Sequence, residues 1–95
     1  MILTTVNFVA QDYVMVTSGS TCERVTSKAE CEEAARQLGL SDTTASEETV
    51  DDYPPYCYFT GGEWEVWLWF NKNGSSTSQC SSDEVCICKG EVNCY

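Results

Sequence analysis

The chain has 95 residues, seven of them cysteine and none histidine, with fifteen acidic side chains against five basic ones and a net charge of −10. A chain this short makes one domain with a modest core, so staples are expected. The charge repels phosphate backbones and anionic membrane surfaces, and no apolar run approaches the roughly 20 residues of a membrane span, which argues against nucleic acid and membrane insertion.

Seven cysteines without histidine point to disulfides and an oxidising compartment, extracellular or at the cell surface. No CxxC pair and no histidine are present to hold zinc, and no D-x-[DN]-x-[DN]-G loop suggests calcium, so no cofactor or metal is expected. Without histidine, Ser–His chemistry is absent. The neighbouring carboxylates Glu47-Glu48 and Asp51-Asp52 read as a solvated loop, and Cys86-Ile87-Cys88 lacks the spacing of a redox dithiol. The chain does not read as an enzyme.

In chain order, residues 1–20 are expected to form an extended N-terminal strand or arm, with residues 21–95 a cysteine-rich α+β domain. Ile2, Val6, Phe8, Val14 and Val16 share one parity of that arm. The stretch is long for one strand, so a break near Gln11-Asp12 is an alternative. It precedes Cys22, so no disulfide ties it to the domain, and it is free to pair with its own sheet or a neighbouring molecule. It has no basic segment leading into an apolar one, so it is not read as a signal peptide and a secreted form would be mature or trimmed.

Ser27 to Leu40 is the clearest element. Ser27 is placed as N-cap with Glu30 three residues on, a capping box. Cys31, Ala34, Ala35 and Leu38 form one apolar stripe, and Gly39 suits the C′ position. Ser41 to Asp52 is acidic and rich in Ser and Thr, and reads as a solvated loop whose length makes it either mobile, the favoured reading, or functional. Pro54-Pro55 leads into an extended Tyr56-Cys57, with cis or trans bonds left open.

Tyr56 to Asn71 holds all three tryptophans and reads as a β-hairpin turning at Gly61-Gly62. Trp64, Val66, Leu68 and Phe70 share one face of the second arm; Glu65, Trp67 and Trp69 share the other. Both faces are largely apolar, so one is the core and the other needs a cover. Asn73-Gly74-Ser75 is a glycosylation sequon. Val85 to Lys89 reads as a short strand with Cys86 and Cys88 on one face.

Six cysteines allow 15 pairings, and sequence alone does not choose. Geometry favours Cys31, on the buried helix stripe, with Cys57 at the start of the hairpin. Cys80 and Cys86 bracket a short loop, and Cys22 and Cys88 would tie the first part of the domain to its last strand. Cys94 is left for an intermolecular bond or a free thiol; internal pairing of Cys94, with another cysteine free, is the alternative.

The stretches Ser27-Lys-Ala-Glu-Cys-Glu-Glu-Ala-Ala-Arg-Gln-Leu-Gly-Leu, Pro54-Pro-Tyr-Cys-Tyr, Leu68-Trp-Phe-Asn and Cys86-Ile-Cys-Lys resemble a small cysteine-rich module of extracellular proteins from algae and other protists. The resemblance runs from Cys22 to Lys89 and implies an extracellular binding or structural unit.

The expected fold is therefore α+β: a small disulfide-stapled domain with one helix on an antiparallel sheet of about four strands and an extended N-terminal arm. Two functions follow, an assembly protein, preferred because it explains the arm, and a carbohydrate-binding module as the alternative. In the first, the arm adds as a strand to a neighbouring subunit, covers the face bearing Trp67 and Trp69, and builds a homo-oligomer or helical polymer such as a filament or surface fibre. In the second, Tyr58, Trp67 and Trp69 form a stacking platform for glycans, oriented by Glu65 and Asn71.

Overall fold

The computed structural model describes residues 12–19, 22–62 and 65–90. Six strands and one helix appear there: β1 (Tyr13–Val16), β2 (Glu23–Arg24), α1 (Lys28–Leu38), β3 (Ser46–Glu48), β4 (Tyr56–Gly61), β5 (Val66–Asn71) and β6 (Val85–Lys89). They make one sheet in the order β1-β6-β4-β5-β3, with β2 also on β6.

The helix begins and ends where its sequence dictates. Ser27 is extended and its Oγ accepts from the Glu30 N–H at 3.1 Å. Gly39 takes the left-handed conformation at φ 75°, so its N–H and that of Leu40 reach the carbonyls of Arg36 and Ala35. The capping box is only half made. The Glu30 carboxylate turns to the Tyr13 hydroxyl, which donates to it at 2.9 Å, so β1 takes the acceptor expected to close the box.

Cys31, Ala34 and Ala35 form the buried stripe of α1. They meet Cys57 and Phe59 of β4, Leu68 and Phe70 of β5, Ile87 of β6, Tyr13 of β1, and Val25 and Ala45 from the connections. The small alanines let the helix lie close to the sheet, and Cys31–Cys57 bonds it there. Full burial of Leu68, Ile87 and Val25 stabilises by roughly 1.5–3 kcal/mol per side chain.

The hairpin pairs Tyr56 with Asn71 through to Gly61 with Val66. Its turn lies one step later than Gly61-Gly62 suggested: Gly61 is the last residue of β4, and the Gly62 N–H donates to the Glu65 carbonyl at 3.0 Å. Gly61 has φ 118°, and a Cβ there would stand 2.4 Å from the Glu65 oxygen, so glycine is required. Val66, Leu68 and Phe70 face the helix as expected; Trp64 lies outside the described residues.

Two expectations are corrected. The sheet has six strands rather than about four, and it is mixed, because β3 runs parallel to β5. The segment read as a mobile acidic loop supplies that strand. Its polar groups act as edge partners: the side-chain Ser41 Oγ accepts from the Val66 N–H and Asp42 Oδ2 from the Leu68 N–H, and the Glu48 backbone carbonyl accepts from the Lys72 N–H. Glu32 Oε2 further fixes Ala45 through its N–H at 2.8 Å. Neither β2 nor β3 carries an apolar alternation, so pairing with a neighbour's edge defines them, not propensity.

Of the two pairings open to the arm, its described part takes the one with its own sheet. Tyr13 to Val16 pair antiparallel with Lys89 to Cys86 of the same chain, and Tyr13 is in the core. β1 therefore shares one sheet with the strands of the cysteine-linked part. Residues 1–11 lie outside the described part.

Candidate functional site

The sheet face opposite α1 divides in two. Around β6 it carries Cys22–Cys88 and Cys80–Cys86, packed with Val16. With Cys31–Cys57, these are the partners named from the sequence. Arg24 lies across this half. Its Nη1 points at Cys86 Sγ (3.3 Å) and Cys80 Sγ (3.7 Å), and its Nη2 donates to the carbonyls of Pro55 and Cys57. β2 and β4 bond different stretches of β6, and Arg24 bridges the junction between them. Its Nε has no partner among the described residues. Burial lowers the guanidinium pKa, opposed by the nearby Tyr56.

The other half is the candidate site. The register sets Tyr58 opposite Trp69 and Thr60 opposite Trp67 across β4 and β5, and Ser46 and Glu48 beside Trp69 and Asn71. Of these, Glu48, Tyr58, Thr60 and Trp69 line an open cleft of about 640 Å³, together with Gly61, Tyr53 before the prolines and Asp83-Glu84 before β6.

Each wall has its own support. Tyr58 is buried, donates its hydroxyl to Glu48 Oε2, and stacks with Tyr53 at 6.0 Å between ring centroids and 24° between planes. Burial first, then the bond to Glu48 and its charge, raise the Tyr58 pKa well above the ordinary phenol value, so it stays a neutral donor. Trp69 Nε1 donates to Thr60 Oγ1 at 3.1 Å, which fixes the indole plane. Ser81 organises the acidic turn: its Oγ accepts from the N–H groups of Asp83 and Glu84 and donates to Glu84 Oε1.

The Tyr53 wall is held from behind by Asn71, which is fully buried. Its Nδ2 contacts the carbonyls of Val50, Tyr53 and Pro54 at 3.0–3.1 Å, and its Oδ1 accepts from the Val50 and Asn73 N–H groups. Asn71, expected to orient a ligand, is therefore spent on the loop; burial and saturation remove it from the surface. Glu65 is exposed at the hairpin turn and does not line the cleft.

The remaining candidates divide as follows. Trp67 is 52% exposed on the platform face, beside the cleft. Val14 and Val16 sit in β1 of this chain's own sheet, Val14 largely exposed and Val16 against the disulfides. Asn73 is half-buried; its Nδ2 donates to the Val50 carbonyl and Asp51 Oδ1, so a glycan at that nitrogen would displace one of these bonds. Ile2, Val6, Phe8 and Cys94 lie outside the described residues.

Nothing in the sequence marks Glu48, Tyr53, Thr60, Asp83 and Glu84 as a group. Thr60 was legible from its alternation with Tyr58; the others come from segments that read as loop.

No protein-family model matches the chain, and neither the curated proteins nor the solved structures yield a match. Among the described residues no group of His, Cys, Asp or Glu is placed to hold a metal ion, and no helix is long and apolar enough to cross a membrane.

Proposed function

We propose that the protein is an extracellular recognition module that binds carbohydrate in the aromatic cleft and does no bond-breaking chemistry there. The observation that carries this reading is the lining: the rings of Tyr53 and Trp69 over the buried Tyr58, a threonine hydroxyl and three carboxylates around one open cleft. Aromatic faces stack on the apolar faces of sugars, and fixed polar groups set orientation. The volume falls within the roughly 300–1,000 Å³ of small-molecule sites. Three disulfides in a small domain are compatible with an extracellular setting, which the resemblance to algal and protist modules also implies. Trp67 extends the platform beyond the cleft.

The test is glycan-array binding of the wild type against Tyr53→Ala and Trp69→Ala. Specific glycan binding that both variants weaken is expected. A wild type that binds nothing on the array, or binding that both variants retain, contradicts the reading.

Assembly is the second reading, favoured by β1. Among the described residues it is an end strand of the sheet order, and it exposes Val14 and Met15 at 41% and 51%. An edge that no other described strand covers, with apolar neighbours, suits strand addition from another copy, supplied by residues 1–11. Deleting only those residues keeps Tyr13 in the core. Concentration-dependent assembly of the full chain, lost on this deletion in light scattering and electron microscopy, supports polymerisation; a monodisperse full chain contradicts it.

A further inference from the structure

The cleft has acceptors in excess and lacks cations. Glu48 and Glu84 each have one carboxylate oxygen engaged, by Tyr58 and Ser81, and the Asp83 side chain has no hydrogen-bond partner among the described residues. No lysine or arginine lines the cleft. The chain's five basic residues are placed elsewhere. Arg24 lies over the disulfides, Arg36 pairs with Glu33, Lys72 with Glu47, and Lys89 with Glu23 and Glu30. Lys28 opens α1, on the far side of the sheet.

Three carboxylates would compensate one another poorly without a positive group. The aromatic rings supply a second attraction for the same charge, because their faces carry negative potential. Tyr53 and Trp69 share the cleft with the carboxylates, so a cation there would meet both at once. A neutral sugar would satisfy the acceptors through its hydroxyls but leave the charge unbalanced.

We infer that the cleft selects an amino sugar with a free ammonium group, presented by an unacetylated glucosamine-type oligosaccharide. This rests on the carbohydrate reading above and adds the charge of the sugar. The ammonium sits among Glu48, Asp83 and Glu84, and the pyranose ring lies against Trp69 or Tyr53.

The experiment is isothermal titration of the wild type and Asp83→Asn with glucosamine oligomers and N-acetylglucosamine oligomers of equal length, at low and high salt. The two ligands share a skeleton and differ in charge. Asp83 is exposed and makes no side-chain bond among the described residues, so its amide variant leaves the fold intact. The ammonium oligomer should bind roughly tenfold more tightly at low salt, with the advantage shrinking as screening rises. Asp83→Asn should weaken it about threefold and weaken the acetylated oligomer less, so that the preference for the ammonium form shrinks. Equal binding of the two oligomers, or preference for the acetylated one, overturns the inference and leaves the carbohydrate reading standing. Binding of neither overturns both. An ammonium preference that ignores both salt and Asp83→Asn overturns the placement of the charge in this cleft.

Discussion

Replacing Asn71 tests how the aromatic wall is held. Its amide touches five backbone groups across residues 50–54 and 73, and at about 1 kcal/mol per hydrogen bond a naive sum gives about 5 kcal/mol. The structure lowers that figure. The Val50 carbonyl keeps a bond from Asn73 Nδ2, and the Tyr53 carbonyl keeps one from Ser76 Oγ. The groups that lose their side-chain partner outright are the N–H groups of Val50 and Asn73 and the Pro54 carbonyl, the last beside a fully buried ring. Asn71→Ala should therefore cost roughly 3–4 kcal/mol, from three unmet groups and a small cavity. Asn71→Asp keeps the acceptor but turns a carboxylate oxygen toward three carbonyls, so it should cost more than alanine at neutral pH. Urea unfolding with the disulfides intact measures both. A loss under 1 kcal/mol for Asn71→Ala, or Asn71→Asp more stable than Asn71→Ala, would refute the reasoning.

The disulfides should rank by the span each closes. Sequence separations of 66, 26 and 6 for Cys22–Cys88, Cys31–Cys57 and Cys80–Cys86 give losses of about 4, 3.5 and 2 kcal/mol on removal, by unfolded-chain entropy. Thermal unfolding of the three paired Cys→Ala variants checks the order, and greatest loss for Cys80–Cys86 would overturn it. Stability should also fall at alkaline pH. Burial first, then the bond to Glu30, push the Tyr13 phenol up from 10.0 to about 12, and Tyr58 is raised too. The folded state holds these protons more tightly, so the contribution is complete below pH 10 and is lost as pH climbs toward 12. The slope is at most about 1.4 kcal/mol per pH unit for each tyrosine. Urea midpoints between pH 8 and 12 for wild type and Tyr13→Phe measure it, and identical pH dependence in the two proteins would contradict the Tyr13 assignment.

The helix and the hairpin faces were legible because local rules and packing agree there. Ser27 caps, Gly39 terminates, and alternation sends Leu68 and Phe70 inward and Trp67 and Trp69 outward. The edges were not legible. β3 is Ser-Glu-Glu and β2 is Glu-Arg; they are strands because β5 and β6 offer backbone groups, which no property of the short segments reveals. The same holds at the site. Trp69 and Tyr58 announce themselves as aromatic residues in a strand, but Glu48 reaches Tyr58 only because β3 runs parallel to β5. Tyr53 joins it because a buried asparagine gathers three carbonyls of the preceding loop. Arg24 gave no signal either, since its partners lie far along the chain.

Nuclear magnetic resonance titration of the ¹⁵N-labelled full chain with a soluble glucosamine oligosaccharide tests the central claim most directly. The account predicts shifts in the Trp69 indole N–H and in the backbone of Glu48, Tyr53, Thr60, Asp83 and Glu84, with Tyr13 to Val16 of β1 unchanged. Shifts confined to β1, or none at saturating oligosaccharide, would contradict it.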